Sequence, residues 1–170
     1  MSAISWGIFQ EEENKKLHPS ITPFIEKEVR TGDFIMTRAN TKELVAKSVI
    51  VEKVREKLLL NDKTLRVKFS KLLNIRFANF FNNSEYSRNY YISISTGTSP
   101  SMKNISRDSI KLLPFPLPPL LEQQVIVTKV EQLLTLCDEL ETQTKQNQTY
   151  AENLMQAVLK EAFNPQQKIA

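Results

Sequence analysis

From Leu120 to Phe163 no Gly or Pro interrupts the chain, and this run is entered through Pro114-Phe115-Pro116-Leu117-Pro118-Pro119. Proline cannot continue a helix, so the segment separates whatever precedes it from a new element. Within the run, Ile126, Val130, Leu133, Cys137, Leu140, Thr144, Asn147, Ala151, Leu154 and Val158 follow in alternating steps of four and three. That alternation keeps one stripe on one side of a helix for more than four heptads, the pattern of a coiled-coil seam. About 44 residues at ~1.5 Å each make a rod of ~65 Å. A stripe of that length outruns any domain the preceding residues can build, so it predicts a partner helix. Thr144 and Asn147 fall mid-seam, where polar residues fix register by demanding matching partners.

Charge divides the chain at the same place. Residues 1–117 hold 19 Lys/Arg and 12 Asp/Glu, whereas residues 118–170 hold 4 and 7, against totals of 23 and 19. A basic first part suits a polyanion and an acidic rod suits a protein. Surface scatter also yields a bias of this size. The lone cysteine, Cys137, excludes an internal disulfide and a thiolate zinc site. No charged-then-apolar leader, apolar run of ~18 residues or lipidation motif is present, so a soluble, cytoplasmic protein with no membrane partner is expected.

Ahead of the hinge the periodicities are mixed. Residues 1–32 contain a short apolar stretch and a solvated loop, Glu11 to Lys16. Strands are predicted at Phe34–Arg38, Ser48–Val51 and Thr64–Phe69, the last with clear alternation, preceded by the turn Asn61-Asp62-Lys63. Ala39 to Glu43 reads as a polar loop. Leu72, Ile75, Phe77, Phe80 and Phe81 fit a helix, and Tyr86, Tyr90 and Tyr91 a second. Thr96 to Ser106 has no period and reads as a loop. Ser106 is an N-cap for a short helix running towards Leu113 with Asp108 in its first turn. The fold class is α+β: a small mixed domain over residues 1–117, a long helix over 118–163 and a tail over 164–170.

The inventory for catalysis is thin. His18, the only histidine, sits beside Pro19 in a polar loop. One His and one Cys make neither a catalytic dyad nor a zinc site. Only three Gly occur, and no glycine-rich phosphate loop is among them. Glu52 and Glu56 lie at helical spacing with Lys53 and Lys57, as surface pairs do. No catalytic motif, metal site or cofactor of its own is expected of this chain.

Two loops suit DNA. One is Thr37-Arg38-Ala39-Asn40-Thr41-Lys42 after a strand end; the other is Thr96 to Ser106, with Lys103 and Asn104 among small hydroxyl residues. Arg and Lys neutralise phosphates, Asn and Arg reach base edges, and Ser and Thr bridge to either. Both read equally as polar surface, with Asn and Ser stabilising turns.

Several segments together resemble a known family. Ala3-Ile4-Ser5-Trp6-Gly7, Gly32 to Asn40, Asn61-Asp62-Lys63 and Thr96-Gly97-Thr98 through Ser106 look like a target-recognition domain. Leu113-Pro114-Phe115-Pro116-Leu117-Pro118-Pro119-Leu120-Leu121-Glu122-Gln123-Gln124 matches the opening of a spacer helix. The whole is similar to the DNA specificity (S) subunit of type I restriction-modification systems. That resemblance implies two recognition domains per full-length subunit, each followed by a long helix, with the helices pairing antiparallel as a ruler between half-sites. It implies methyltransferase subunits that bring S-adenosylmethionine, and restriction subunits that bring the nuclease. Here one recognition domain and one helix are present, and the domain begins late, so a truncated or half subunit is expected.

Two functions follow. In the first, the chain reads a half-site on double-stranded DNA. Arg38 and Lys103 then hold phosphates, with Asn40, Thr41, Lys42, Ser99 and Asn104 close by. The seam from Ile126 to Val158 pairs with another copy or a full-length specificity subunit. In the second, the chain is a non-reading assembly or regulatory fragment that keeps only the pairing.

Overall fold

A computed structural model describes residues 2–4, 7–99 and 101–163. Ser5 and Trp6 of the opening motif, Pro100 and the tail 164–170 lie outside the described residues. The chain divides into two compact units, Met1–Val127 and Thr128–Ala170.

The first unit is organised by strand β1, Phe34–Thr37, which lies between β3, Ser48–Ile50, and β4, Thr64–Val67, antiparallel to both. All four residues of β1 are buried. Phe34 and Met36 join a cluster with Val45, Ala46, Ala78, Tyr91 and Ile105. Ile35 joins Ile4, Val29, Val49 and Val51 in a second cluster. Burial on both faces explains why β1 shows no apolar–polar alternation. At ~1.5–3 kcal/mol for each fully buried aliphatic side chain, these two clusters hold the unit together.

Helix α1, Ile75–Asn83, and helix α2, Glu85–Ile94, follow β4. Asn74 caps α1, its Oδ1 accepting from the backbone N–H of Arg76 at 2.8 Å and Phe77 at 3.2 Å. Leu72, placed in this helix by its spacing, lies before it and is exposed. Helix α3, Arg107–Lys111, starts where Ser106 caps it, with the Ser109 N–H 3.0 Å from the serine hydroxyl. The proline segment is anchored by Phe115, whose ring lies 4.6 Å from Phe81 and 6.0 Å from Phe77.

Three local expectations change. The expected loop at Ala39 contains a two-residue strand β2, Ala39–Asn40, and the expected loop at Lys103 contains β5, Lys103–Asn104; the two pair antiparallel. Strands of two residues have no period to detect, and their partners lie over 60 positions away in sequence. Residues 51–58 form no helix, and Lys57 has a φ of 63°, so the Glu52/Glu56 spacing has no helical meaning. Glu52 instead lies 3.6 Å from Arg76, both exposed.

Helix α4 runs from Leu120 to Ala162, 43 residues without a break. Its first turns, through Val127, belong to the first unit, where Gln123 and Val127 are buried. In the second unit none of the described residues is buried. Ile126 and Val130 of the seam are half-buried. Leu133, Cys137, Leu140, Thr144, Asn147, Ala151, Leu154 and Val158 are exposed.

Candidate nucleic-acid interface

Backbone pairing brings the two candidate loops together. Ala39 stands opposite Asn104 and Asn40 opposite Lys103. The Ile105 N–H donates to the Arg38 carbonyl at 2.9 Å, extending the ladder by one bond. On its other edge Asn104 exchanges backbone bonds of 2.9 Å with Thr96, so residues 96 to 104 close as a hairpin. Gly97 is required there: its φ is +122°, and a Cβ would lie 2.5 Å from the Met102 carbonyl. The hairpin tip is tied twice more. The Lys103 Nζ donates to the Gly97 carbonyl at 2.6 Å, and the Ser99 and Ser101 hydroxyls meet at 2.8 Å.

The seven candidate residues thus share one ladder and its two flanking turns, but they are not equally free. Lys42, Ser99 and Asn104 are exposed, while Arg38, Thr41 and Lys103 are half-buried. Asn40 is buried, and its Oδ1 accepts the Thr41 backbone N–H at 2.9 Å, which is the turn-stabilising role open to any Asn. The Arg38 Nε and Asn40 Nδ2 are buried with no hydrogen-bond partner among the described residues.

Lys63 was not picked out by the sequence. It lies beside this ladder because the Arg38 N–H donates to its carbonyl at 2.9 Å. Its segment Asn61-Asp62-Lys63 reads as turn chemistry and as part of the family resemblance, and nothing local signals that Lys63 lies against Arg38. Arg88 is a second such residue. From α2 its guanidinium donates to the carbonyls of Glu43 and Val45 and lies 5.9 Å from the Tyr91 ring. Desolvation pulls the Arg88 value below the usual arginine range, and no carboxylate is paired with it among the described residues. Burial pushes the Tyr91 hydroxyl up to about 12, the nearby Arg88 charge working against the rise. Glu43 is held below its ordinary range by its own backbone N–H and then by the Thr41 hydroxyl.

A turn between β2 and β3 presents Thr41 and Lys42, and it is held from several directions. The Ala46 N–H donates to the Thr37 carbonyl at 2.9 Å, and the Thr37 hydroxyl donates to the Leu44 carbonyl at 3.0 Å. Ala46 itself adopts φ 61°, uncommon for a residue with a Cβ. From α1, the Asn82 Nδ2 donates to the Ala46 carbonyl at 2.9 Å and to the Ser48 hydroxyl at 2.8 Å. The Asn83 Nδ2 reaches the Ser48 carbonyl at 3.0 Å, and the Tyr91 hydroxyl donates to the Asn82 Oδ1 at 2.8 Å.

The whole is a hydrogen-bonded, cation-bearing edge with a hydroxyl-rich hairpin beside it. Among the described residues no group of His, Cys, Asp and Glu has the geometry to hold a metal ion, and no helix is long and apolar enough to cross a membrane.

Comparison with known proteins identifies the class. The sequence model of the family described as the type I restriction modification DNA specificity domain matches residues 4–148. That span covers most of the chain, and the protein belongs to this family. It is similar to the type I restriction enzyme EcoEI specificity subunit of Escherichia coli, at 31% identity over 157 residues, covering 92% of this chain and 26% of that subunit. Similarity to the EcoKI specificity subunit of Escherichia coli K12 is 30% over 165 residues, 96% of this chain and 35% of the relative. A third match, 38% over 99 residues, is to the StySPI specificity subunit of Salmonella potsdam. The chain therefore spans about a quarter to a third of the length of the first two relatives.

Proposed function

We propose that this chain is a sequence-reading component of a type I restriction-modification system, contacting one half-site of double-stranded DNA through the β2–β5 edge. Arg38, Lys103 and the adjacent Lys63 neutralise phosphates there, and Thr41, Lys42, Ser99 and Asn104 lie nearest the bases. Asn40, being buried, holds the Thr41 turn and does not reach a base edge itself. The observation that supports this most is the pairing of the two candidate loops, far apart in sequence, on one ladder. Four cations, Arg38, Lys42, Lys63 and Lys103, belong to that ladder or to segments bonded directly to it.

Beyond Val127 the exposed seam of α4 pairs with the same seam on another copy or on a full-length specificity subunit. The paired frame holds methyltransferase and restriction subunits. In this reading S-adenosylmethionine belongs to the methyltransferase partner, and the present chain contributes recognition. Electrophoretic titration of duplex DNA, with methyltransferase subunits present, tests it. Binding that weakens steeply with salt is expected. No DNA affinity at low salt overturns the reading and leaves the alternative, an assembly fragment that pairs without reading.

A further inference from the structure

Gln123 lies in the second turn of α4, and its side chain is wholly buried within the first unit. All of its amide atoms are used on backbone groups. Nε2 donates to the Leu72 carbonyl at 2.9 Å and to the Pro118 carbonyl at 2.8 Å, while Oε1 accepts the Asn74 N–H at 2.8 Å. An amide is suited to this place because the site offers two acceptors and one donor. A buried polar group costs little when fully satisfied, and losing one partner strands the others. The neighbouring Gln124 is exposed.

Asn74, whose N–H Gln123 accepts, is the N-cap of α1. The middle and far end of that nine-residue helix carry Asn79, Asn82 and Asn83, which hold Ala46 and Ser48. Those two residues close the turn that begins at Thr41. Every step of this chain of contacts is a hydrogen bond or the axis of one short helix, and all of it lies within the first unit.

We infer that Gln123 is a positioning residue, tying the start of α4 through α1 to the turn that presents Thr41 and Lys42. A shift at the helix entry is passed along α1 to the cation-bearing edge, and the reverse holds equally. This inference rests on the proposed reading for its functional meaning, but its test needs no DNA.

The measurement is the backbone amide spectrum of the full chain bearing Gln123→Glu, followed between pH 4 and pH 7, with Gln124→Glu as the control. The protonated carboxyl replaces one donor bond and keeps the acceptor; the ionised carboxylate sets negative charge against the Leu72 and Pro118 carbonyls. The amides of Leu44, Val45, Ala46 and Ser48 are expected to move with the introduced carboxyl's titration, together with those of Leu73 and Asn74, and not to move in the control. If Leu73 and Asn74 move while Leu44 to Ser48 stay fixed, the coupling is refuted. If the variant does not fold, Gln123→Met is measured in the same way. It keeps the volume and removes all three bonds, and unmoved amides from Leu44 to Ser48 again refute the inference. Failure of DNA binding with these shifts present would sink the proposed reading and leave the coupling intact.

Discussion

In the first unit Ile35, Val45, Val49 and Val51 are completely shielded from solvent, whereas in the second Leu133, Leu140, Leu154 and Val158 remain 49%, 54%, 66% and 55% exposed. The two regions contain the same kinds of side chain and treat them oppositely. In the first, one group of buried polar side chains, Asn82, Ser48, Tyr91 and Gln123, is hydrogen-bonded to specific backbone and side-chain partners. The helix beyond Val127 leaves the apolar side chains of its stripe exposed, and its threonine hydroxyls bond only carbonyls of the same helix. A helix gains most of its stability in proteins from packing one face. The difference teaches that the first region covers its apolar side chains with its own sequence, whereas the second leaves those of its seam exposed.

The largest expected effect breaks this contrast at the seam. Leu140→Lys sets a charge in the middle of the stripe and is expected to abolish pairing of the helices, read as a halved mass in sedimentation, with unfolding of the first unit unchanged. A concurrent loss of stability in the first unit would show that the two regions are not independently ordered. Next is Asn82→Leu, which strands the Ala46 carbonyl and the Tyr91 hydroxyl. A loss of about 3 kcal/mol is expected in urea unfolding followed by the tyrosine near-ultraviolet signal, with association untouched.

A smaller effect concerns alkaline pH. The Tyr91 hydroxyl is raised to about 12 in the fold, above its ordinary value near 10, so its contribution is fully present below pH 10. It is lost as pH rises from about 10 through about 12, by up to roughly 2–3 kcal/mol. Tyr91→Phe should flatten that part of the stability curve, and an unchanged slope would assign the alkaline loss elsewhere. Smallest is Lys103→Ala, expected to weaken DNA binding about tenfold, or ~1.5 kcal/mol, on all sequences alike. It should also lower the salt slope by about one. A change confined to one sequence would make Lys103 a base reader.

How far the sequence foretold this depends on the range of the interaction. Helix α4 was legible because its pattern repeats over dozens of residues, and Ser106 because a cap and its helix are adjacent. Strands β1, β3 and β4 were legible from β-branched and aromatic runs. The ladder joining Asn40 to Lys103 was not, since each half is two residues long and its stability comes from a distant partner. The same limit hid the contacts of Lys63, Arg88 and Gln123, each of which meets backbone groups brought near only by folding, although Lys63 and Gln123 lie in segments that carry the family resemblance. Thr144 shows a subtler case: its hydroxyl donates to the Leu140 carbonyl of its own helix at 2.8 Å, so a polar seam position need not demand a partner.

Light scattering on the full chain across a wide concentration range tests the central claim, that the helix beyond Val127 is covered by another chain. A mass of twice the 19.6 kDa chain is predicted at the upper concentrations. A single-chain mass throughout, with amide exchange showing the seam of α4 protected all the same, would contradict it.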